Sequence, residues 1–135
     1  MKTLEQMVQD YKAITRPADT ESINALQTAL GFPLSAEYRE FLSRFGIIVH
    51  GAYETYGLGV PDDYYLNVLN AYKELSHDPT YPPNAIPLLE EGDGQYYLYD
   101  NKKNKVILWG MPHLGIISVT NLDLNKFLMK KIFEK

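Results

Sequence analysis

Residues 20–46 read TESINALQTALGFPLSAEYREFLSRFG, and this stretch decides the fold. Asp19 or Thr20 suits the start of a helix, because a short side-chain oxygen accepts a free backbone N–H there. Apolar side chains then recur at steps of three and four residues, at Ile23, Leu26 and Leu30. Gly31 suits the left-handed backbone position that follows the last turn of a helix. The first half of the stretch therefore predicts an amphipathic helix that ends at a glycine.

The second half of the stretch predicts another helix. Ser35 is a candidate for its N-cap. A wide apolar stripe follows at i, i+3, i+4 and i+7, formed by Tyr38, Phe41, Leu42 and Phe45. Gly46 is expected to end this helix. An aromatic stripe at helical spacing usually belongs to a core, and the stretch holds no plausible catalytic set. We expect a helical hairpin whose two apolar stripes are buried.

The sequence outside the hairpin predicts an antiparallel sheet with helices around it. Apolar or alternating runs between turn residues predict strands at Ile47–Val49, Tyr53–Tyr56, Ile86–Glu90, Tyr96–Asp100, Val106–Trp109 and Ile116–Val119. Further helices are expected near the N-terminus, from Asp62 or Asp63 to Leu75, and after Asp123. The expected class is α+β, with an antiparallel sheet of about four to six strands packed against N-terminal helices and a C-terminal helix. Residues 1–135 are expected to form a single domain.

The residue types that several kinds of catalysis need are absent or widely spaced. The chain has no cysteine, which excludes a thiol nucleophile, a cysteine-zinc site and a disulfide. The histidines sit in no metal-ligand spacing, at His50, His77 and His113. The acid pairs at Asp62–Asp63 and Glu90–Glu91 could serve as general acid and base, or only cap a helix and face solvent. We expect no enzyme activity, no metal and no cofactor.

The N-terminal sequence bears on the location of the protein. The residues MKTLEQMVQDYK place charges between the apolar side chains, which is unlike the apolar run of a signal peptide. No stretch of the chain approaches the roughly 18 apolar residues that a membrane-spanning helix needs. We therefore expect a cytoplasmic protein that has no membrane partner.

Charge and tyrosine are unevenly distributed along the chain. Residues 47–100 carry nine acidic side chains and a single basic one, Lys73, together with nine of the eleven tyrosines. An acidic segment argues against direct binding of nucleic acid, because phosphate contacts need lysine and arginine. Tyrosine is enriched at protein interfaces, where its ring buries area while its hydroxyl stays paired. The middle of the chain is therefore the predicted binding surface.

The hairpin resembles the SUKH superfamily, which includes the yeast cell-wall-assembly regulator and many bacterial immunity proteins. The family pattern is a helix ending in Leu-Gly, then Leu-Pro-x-x-Tyr-x-x-Phe-Leu, then a short Asn-Gly or Gly element. The matching residues here are Leu30, Gly31, Leu34, Tyr38, Phe41, Leu42 and Gly46. Ser35 stands where the family usually has proline, and Phe45 where it often has asparagine. The segments IPLLEEGDGQYYLYD and VILWG also resemble the central strands of the family.

The resemblance implies a non-catalytic immunity protein, an antitoxin of bacterial competition that binds and neutralises a cognate protein toxin. A nuclease is a toxin class that suits the acidic middle segment, because a cleft that binds nucleic acid is basic. An acidic, tyrosine-rich surface could occlude such a cleft. The predicted partner-binding residues are Glu54, Tyr56, Asp62, Asp63, Tyr64, Glu90, Glu91, Asp93 and Tyr97.

Two other functions stay open at this point. The first is an intracellular scaffold or regulatory protein-binding domain of the cell-wall-regulator type. The second is a small-molecule-binding domain or an enzyme, which the turn glycines and tyrosines favour weakly. The sequence does not settle the identity of a toxin, the binding geometry or the oligomeric state.

Overall fold

The apolar spacing at the N-terminal end forms helices close to where the sequence predicts them. A computed structural model describes residues 2–134. Its first three helices are α1 (Leu4–Asp10), α2 (Thr20–Leu30) and α3 (Ala36–Arg44). Each begins with a side-chain oxygen that accepts a backbone N–H of the first turn, from Thr3, Asp19 and Ser35. Gly31 closes α2 at φ 82°, in the left-handed position that favours glycine. The hairpin and both predicted caps are confirmed.

The strands of the described residues form two antiparallel sheets. The smaller sheet has the order β1-β2-β3, with β1 at Ile14–Thr15, β2 at Ile48–His50 and β3 at Tyr53–Glu54. The larger is a meander of β4 (Ala85–Gly92), β5 (Gln95–Asp100), β6 (Lys105–Gly110) and β7 (Gly115–Val119). The chain leaving β3 then runs along β4, where Thr55 bridges Leu89 and the Tyr56 N–H donates to the Leu88 carbonyl at 2.9 Å. This link ties the two sheets together, and the α+β class is confirmed.

The fourth helix starts later than predicted. The sequence places its start at Asp62 or Asp63, whereas α4 spans Val68–Leu75. Asn67 is the N-cap, because its side-chain oxygen accepts the backbone N–H groups of Leu69 and Asn70. Gly57 fixes that position, since its backbone pairs with Leu66 and Val68 on either side of Asn67. These long-range bonds are not visible in the local sequence.

The chain ends in a short helix. Asp123 caps α5 (Leu124–Leu128) by accepting the Lys126 N–H at 2.9 Å, and a π-helical turn at Met129–Phe133 follows. Its buried face consists of the predicted Leu124, Phe127, Leu128 and Ile132. Within residues 2–134, the helices are too short or too polar to cross a lipid bilayer.

Strands β4 to β6 are packed on both faces. Side chains on one face join the helical core, namely Ile86, Leu88, Tyr99 and Val106. Those on the other face pack with Leu75 of α4, namely Ala85, Leu98, Ile107 and Trp109. The Trp109 indole N–H donates to the backbone carbonyl of Thr80 at 3.2 Å and to its hydroxyl at 3.1 Å. The central strands are therefore apolar on both sides, as fully covered strands are.

Three glycines bring separate backbone segments into direct contact. A Cβ at Gly57 would lie 1.7 Å from the Gly46 carbonyl oxygen, and one at Gly46 or Gly59 would lie 1.7 Å from the Arg16 carbonyl oxygen. The Leu58 N–H donates to the Gly46 carbonyl across this contact at 3.1 Å. We call Gly46, Gly57 and Gly59 the glycine seam. It joins the end of α3 to the segment that leads away from β3.

Candidate partner-binding face

The structure brings five of the nine predicted binding residues together. They are Glu54, Tyr56, Asp63, Tyr64 and Glu90, and they line two adjoining depressions of about 240 and 200 Å³, the first of which Glu91 also borders. The two depressions share Tyr56 and Tyr65. Three further tyrosine or acidic side chains also line the depressions, Tyr65, Glu74 and Tyr96. We call these eight residues the acidic groove.

The groove is assembled from four parts of the chain. Glu54 and Tyr56 come from β3 and the link to β4, and Glu74 comes from α4. Glu90 of β4 lies opposite Tyr96 of β5 in the antiparallel register. The turn that carries Asp63 and the two adjacent tyrosines is tied down by backbone bonds from Tyr64 to Pro61 and from Asn67 to Tyr64. The Asn70 side chain adds a hydrogen bond to the Asp62 carbonyl of the same turn.

The carboxylates of the groove lack basic partners. Among the described residues, no salt bridge includes Glu54, Asp63, Glu74 or Glu90. Burial, and then the nearby Glu90, Tyr96 and Glu74, raises the pKa of the Tyr56 hydroxyl. Burial followed by Glu90 and Glu74 likewise raises the pKa of Tyr96. These two phenols therefore stay neutral near pH 7, and the negative potential of the groove comes from its carboxylates.

Two exposed tyrosines form the outer wall of the groove. The rings of Tyr64 and Tyr65 lie 4.7 Å apart between centroids. Tyr64 is 40% exposed and Tyr65 is 59% exposed, so both have ring area left for a partner to cover. The Tyr65 hydroxyl donates a hydrogen bond to the Glu54 carboxylate, and this bond raises the pKa of Tyr65. The wall is thus aromatic at its outer surface and linked to a carboxylate beneath.

Glu91 and Tyr97 of the predicted set belong to another cluster. The Glu91 carboxylate pairs with the Lys131 ammonium at 2.8 Å. The Tyr97 ring packs against Phe127 at 4.8 Å, and Lys131 Nζ lies 5.1 Å from the Tyr97 ring centroid. Partial burial opposes the charged form of Glu91, but hydrogen bonds from Lys131 and Tyr97 outweigh it and lower the pKa of Glu91. Although Glu91 borders the groove, its charge is matched by the C-terminal helical segment.

Asp62 and Asp93 also lie outside the groove. Asp62 borders a different cavity of about 680 Å³ between α2, the loop after Leu58 and α4. Asp93 sits at the tip of the β4–β5 turn with φ 53°. A further cavity of about 430 Å³ lies beside α1 and α3, where Arg44 pairs with Glu5 at 2.6 Å and with Glu40 at 3.0 Å. Both of these cavities are larger than either depression of the acidic groove.

The groove residues have a restricted chemistry. The full lining of the two depressions contains carboxylates, phenols, one amide and apolar groups, and no lysine, arginine, histidine, serine or threonine. In the part of the chain that the structure describes, no three His, Cys, Asp or Glu side chains are placed to hold a metal ion together. Such a surface is suited to binding a cationic partner.

Sequence reasoning missed Tyr65, Glu74 and Tyr96. Tyr65 directly follows the predicted Tyr64 and shares its turn. The register of the β4–β5 hairpin would have placed Tyr96 beside Glu90, since the two are cross-strand partners. Glu74 is brought in by the packing of α4 against β4. No pattern in the sequence predicts that α4 packs against β4.

Comparison with known proteins identifies a matching family and a protein of similar fold. A sequence model of the SUKH_5 family, described as SMI1-KNR4 cell-wall, matches residues 1–132. The chain is similar to the crystal structure of a protein from Pseudomonas syringae pv. tomato, with a TM-score of 0.70 and 16% sequence identity. That likeness covers 95% of this chain and 96% of the other, and it shows a shared fold. No curated protein matches this chain.

Proposed function

This chain belongs to the SUKH_5 family (SMI1-KNR4 cell-wall), and from that premise we propose that it is a non-catalytic immunity protein of bacterial competition. It acts in the cytoplasm, where it binds a cognate protein toxin and occludes the active cleft. The acidic groove is the surface that makes the contact. A toxin that cleaves nucleic acid is the partner class that this charge fits best, because its cleft must itself attract phosphate.

A single observation carries the proposal. The groove gathers four carboxylates, and no salt bridge among the described residues includes any of them. Like charges on one surface repel, and a cationic surface that covers them relieves the repulsion. The Glu91–Lys131 pair nearby shows the alternative, a carboxylate already matched within the chain. The unmatched set supports a function in binding.

The groove supplies two different contributions to such a complex. Its negative potential would speed encounter with a basic toxin, and electrostatic steering reaches about 10⁸–10⁹ M⁻¹s⁻¹ at low salt. The exposed rings of Tyr64 and Tyr65 would then be buried, and tyrosine is one of the residue types that dominate binding energy at interfaces. Association should therefore be sensitive to salt, while the lifetime of the complex should depend on the rings.

The experiment compares two variants with the same change in charge. The first carries Glu54→Lys, Asp63→Lys and Glu90→Lys in the groove. The control carries Asp10→Lys, Glu21→Lys and Glu134→Lys at exposed positions elsewhere. Association is measured by stopped-flow with the toxin that affinity capture from the native host identifies, and protection is measured by co-expression in toxin-sensitive cells.

We expect the groove variant to associate at least about tenfold more slowly than the control and to lose protection. Circular dichroism and thermal unfolding establish that both variants are folded. Equal protection by the two variants would refute the assignment of the groove. Affinity capture from the native host that returns no toxin would refute the immunity function itself.

The description of the matching family favours a second candidate. It refers to the cell wall, which fits an intracellular scaffold or regulatory protein-binding domain. In that case the acidic groove would bind a basic segment of a host protein. Capture from the native host separates the two functions, because a toxin partner supports immunity and a host cell-wall protein supports regulation.

A further inference from the structure

Strand β7 presents apolar side chains to solvent. Four side chains in and beside this strand are exposed, Leu114 by 62%, Ile116 by 53%, Ile117 by 45% and Val119 by 60%. β7 pairs with β6 on one side and is the last strand in the order of the larger sheet. Its outer edge therefore offers unpaired backbone N–H and C=O groups in the described structure. Such an edge is a template for pairing with another strand.

The edge lacks the usual protection by charge. Edge strands normally avoid association through lysine, other charged side chains, proline, bulges or a covering element. Residues 110–122 contain no aspartate, glutamate, lysine or arginine. Pro112 precedes the strand, and a register shift between Leu108 and Trp109 leaves Ile117 without a Cα partner on β6. This bulge is the one protective device within β7, and it leaves the surrounding apolar side chains exposed.

We propose that two copies of this chain associate through their β7 strands, antiparallel and about a two-fold axis. An isologous contact of this kind pairs the same edge in both copies, so each strand supplies the donors and acceptors that its partner needs. The sheets of the two copies then become continuous. The exposed isoleucines and valine are covered in the same step, which removes apolar surface from water.

The charges at the two ends of the strand favour a second copy as the occupant. At the C-terminal end, Lys105 Nζ lies 3.4 Å from the Asn121 carbonyl, and Lys102 and Lys103 are in the adjoining β5–β6 turn. At the N-terminal end, the Asp78 carboxylate accepts the His113 N–H at 2.9 Å. Antiparallel pairing brings the lysines at the basic end of each strand toward the end of the other strand that holds Asp78, whose carboxylate is buried within its own chain. The uncharged centre keeps two chains of net charge −4 from repelling each other along the contact.

The dimer is independent of the proposed toxin complex. β4 and β7 are opposite edges of the larger sheet, and the groove residues of this sheet are on β4 and β5. Pairing through β7 therefore leaves both acidic grooves open. A contact built on one five-residue strand is small, and complexes below about 1,200 Å² of buried surface are weak and reversible. We expect dissociation in the micromolar range or weaker, on the order of 10⁻⁶–10⁻⁴ M.

Sedimentation velocity of the full chain, from about 5 to about 500 µM, tests the proposal across this range. We expect the weight-average mass to rise from monomer toward dimer. The variant Ile116→Lys with Val119→Lys should stay monomeric, because four lysines would meet at the contact. The control Gln9→Lys with Ser43→Lys adds the same charge at exposed positions and should dimerise as the native chain does. A native chain that stays monomeric, or a dimer that the β7 lysines leave intact, would overturn the proposal.

A second measurement tests the geometry. The chain has no cysteine, so single cysteines at positions 116–119 can be oxidised without background. In an antiparallel pair about a two-fold axis, one or two of these positions lie opposite the same position in the second copy. Their Cα atoms are then within the separation of about 4.4–6.8 Å that a disulfide needs. We expect one or two of the four to cross-link far faster than Ser43→Cys. Uniformly slow cross-linking would mean that the edge is unpaired or accepts a strand of a different protein, and either result rejects the dimer.

Discussion

The helical hairpin and the acidic groove treat polar groups in opposite ways. In the hairpin, side chains bond backbone groups of the loop between α2 and α3. Asn101 accepts the Ser35 N–H at 2.8 Å and donates to the Pro33 carbonyl at 2.6 Å. The Gln27 side chain accepts the Leu34 N–H at 2.9 Å. In the groove, the carboxylates lack basic partners among the described residues.

The difference separates two properties of the molecule. Buried and bonded residues determine the free energy of unfolding, because removing them leaves cavities or unpaired groups. Exposed and unmatched residues contribute little to unfolding and are available to a partner. Substitutions in the hairpin and the sheet should therefore alter stability, while substitutions in the groove should alter association.

The largest expected effect on stability comes from Leu42 of α3. This side chain is fully buried in the main core. Leu42→Ala should lower the free energy of unfolding by about 2–5 kcal/mol, because it removes buried methyl groups and leaves a cavity. Urea denaturation measures the change. A loss below about 1 kcal/mol would show that the hairpin is less tightly packed than the structure indicates.

Two stacked tyrosines provide a smaller and matched comparison. Their ring centroids lie 5.7 Å apart and both are buried, but the Tyr99 hydroxyl contacts Ser35 at 2.8 Å, Asn104 at 2.9 Å and Glu37 at 3.0 Å. The Tyr38 hydroxyl has no hydrogen-bond partner among the described residues. Tyr99→Phe should cost about 1–2 kcal/mol in urea denaturation, whereas Tyr38→Phe should be neutral or stabilising. Equal losses would contradict this difference.

A carboxylate outside the groove gives a prediction in pH. Asp78 accepts hydrogen bonds from the Thr80 side chain, the His113 N–H and the Thr80 N–H, which lower its pKa from 3.8 to about 2. Because the pKa is lower in the folded state, Asp78 stabilises the protein above pH 3.8, and this contribution is lost as the pH falls toward 2.

Asp78→Asn should therefore be less stable than the native chain at pH 6, and the difference should shrink toward pH 2. Urea denaturation at a series of pH values measures both chains. A difference that is constant over this range would show that the charge of Asp78 plays no part.

The smallest expected effect on stability is in the groove itself. Glu90→Gln removes an exposed, unmatched charge and should change the free energy of unfolding by no more than about 0.5 kcal/mol. The neighbouring Glu91→Gln breaks the pair with Lys131 and should cost at most about 1 kcal/mol. The effect on the rate of association with the toxin should be in the reverse order, so that Glu90→Gln associates more slowly than Glu91→Gln. Slower association of Glu91→Gln would place the contact at the C-terminal helical segment instead.

The hairpin could be predicted because its determinants are local. Apolar spacing, the caps at Asp19 and Ser35 and the glycine at position 31 all lie within a few residues of the structure they specify. The start of α4 was predicted wrongly, because Asp62, Asp63 and Asn67 are all plausible caps. Backbone bonds from the distant Gly57 decide among them.

The candidate site could be predicted only as a composition. The excess of acidic and tyrosine residues marks the correct segment, but it does not say which side chains share a face. Tyr96 and Tyr97 are adjacent in sequence and point to opposite sides of β5, one toward the groove and one toward Phe127. That division depends on where α4 and α5 pack, which is tertiary information.

The glycine seam has a consequence for how this protein can change over generations. At Gly57, even the single methyl group of alanine would clash with the backbone, because its Cβ would lie 1.7 Å from the Gly46 carbonyl oxygen. The groove side chains at positions 63 and 90 are exposed and carry no comparable restriction. The exposed carboxylates of the groove can therefore be substituted one at a time, while the close backbone contact at the glycine seam keeps the fold unchanged.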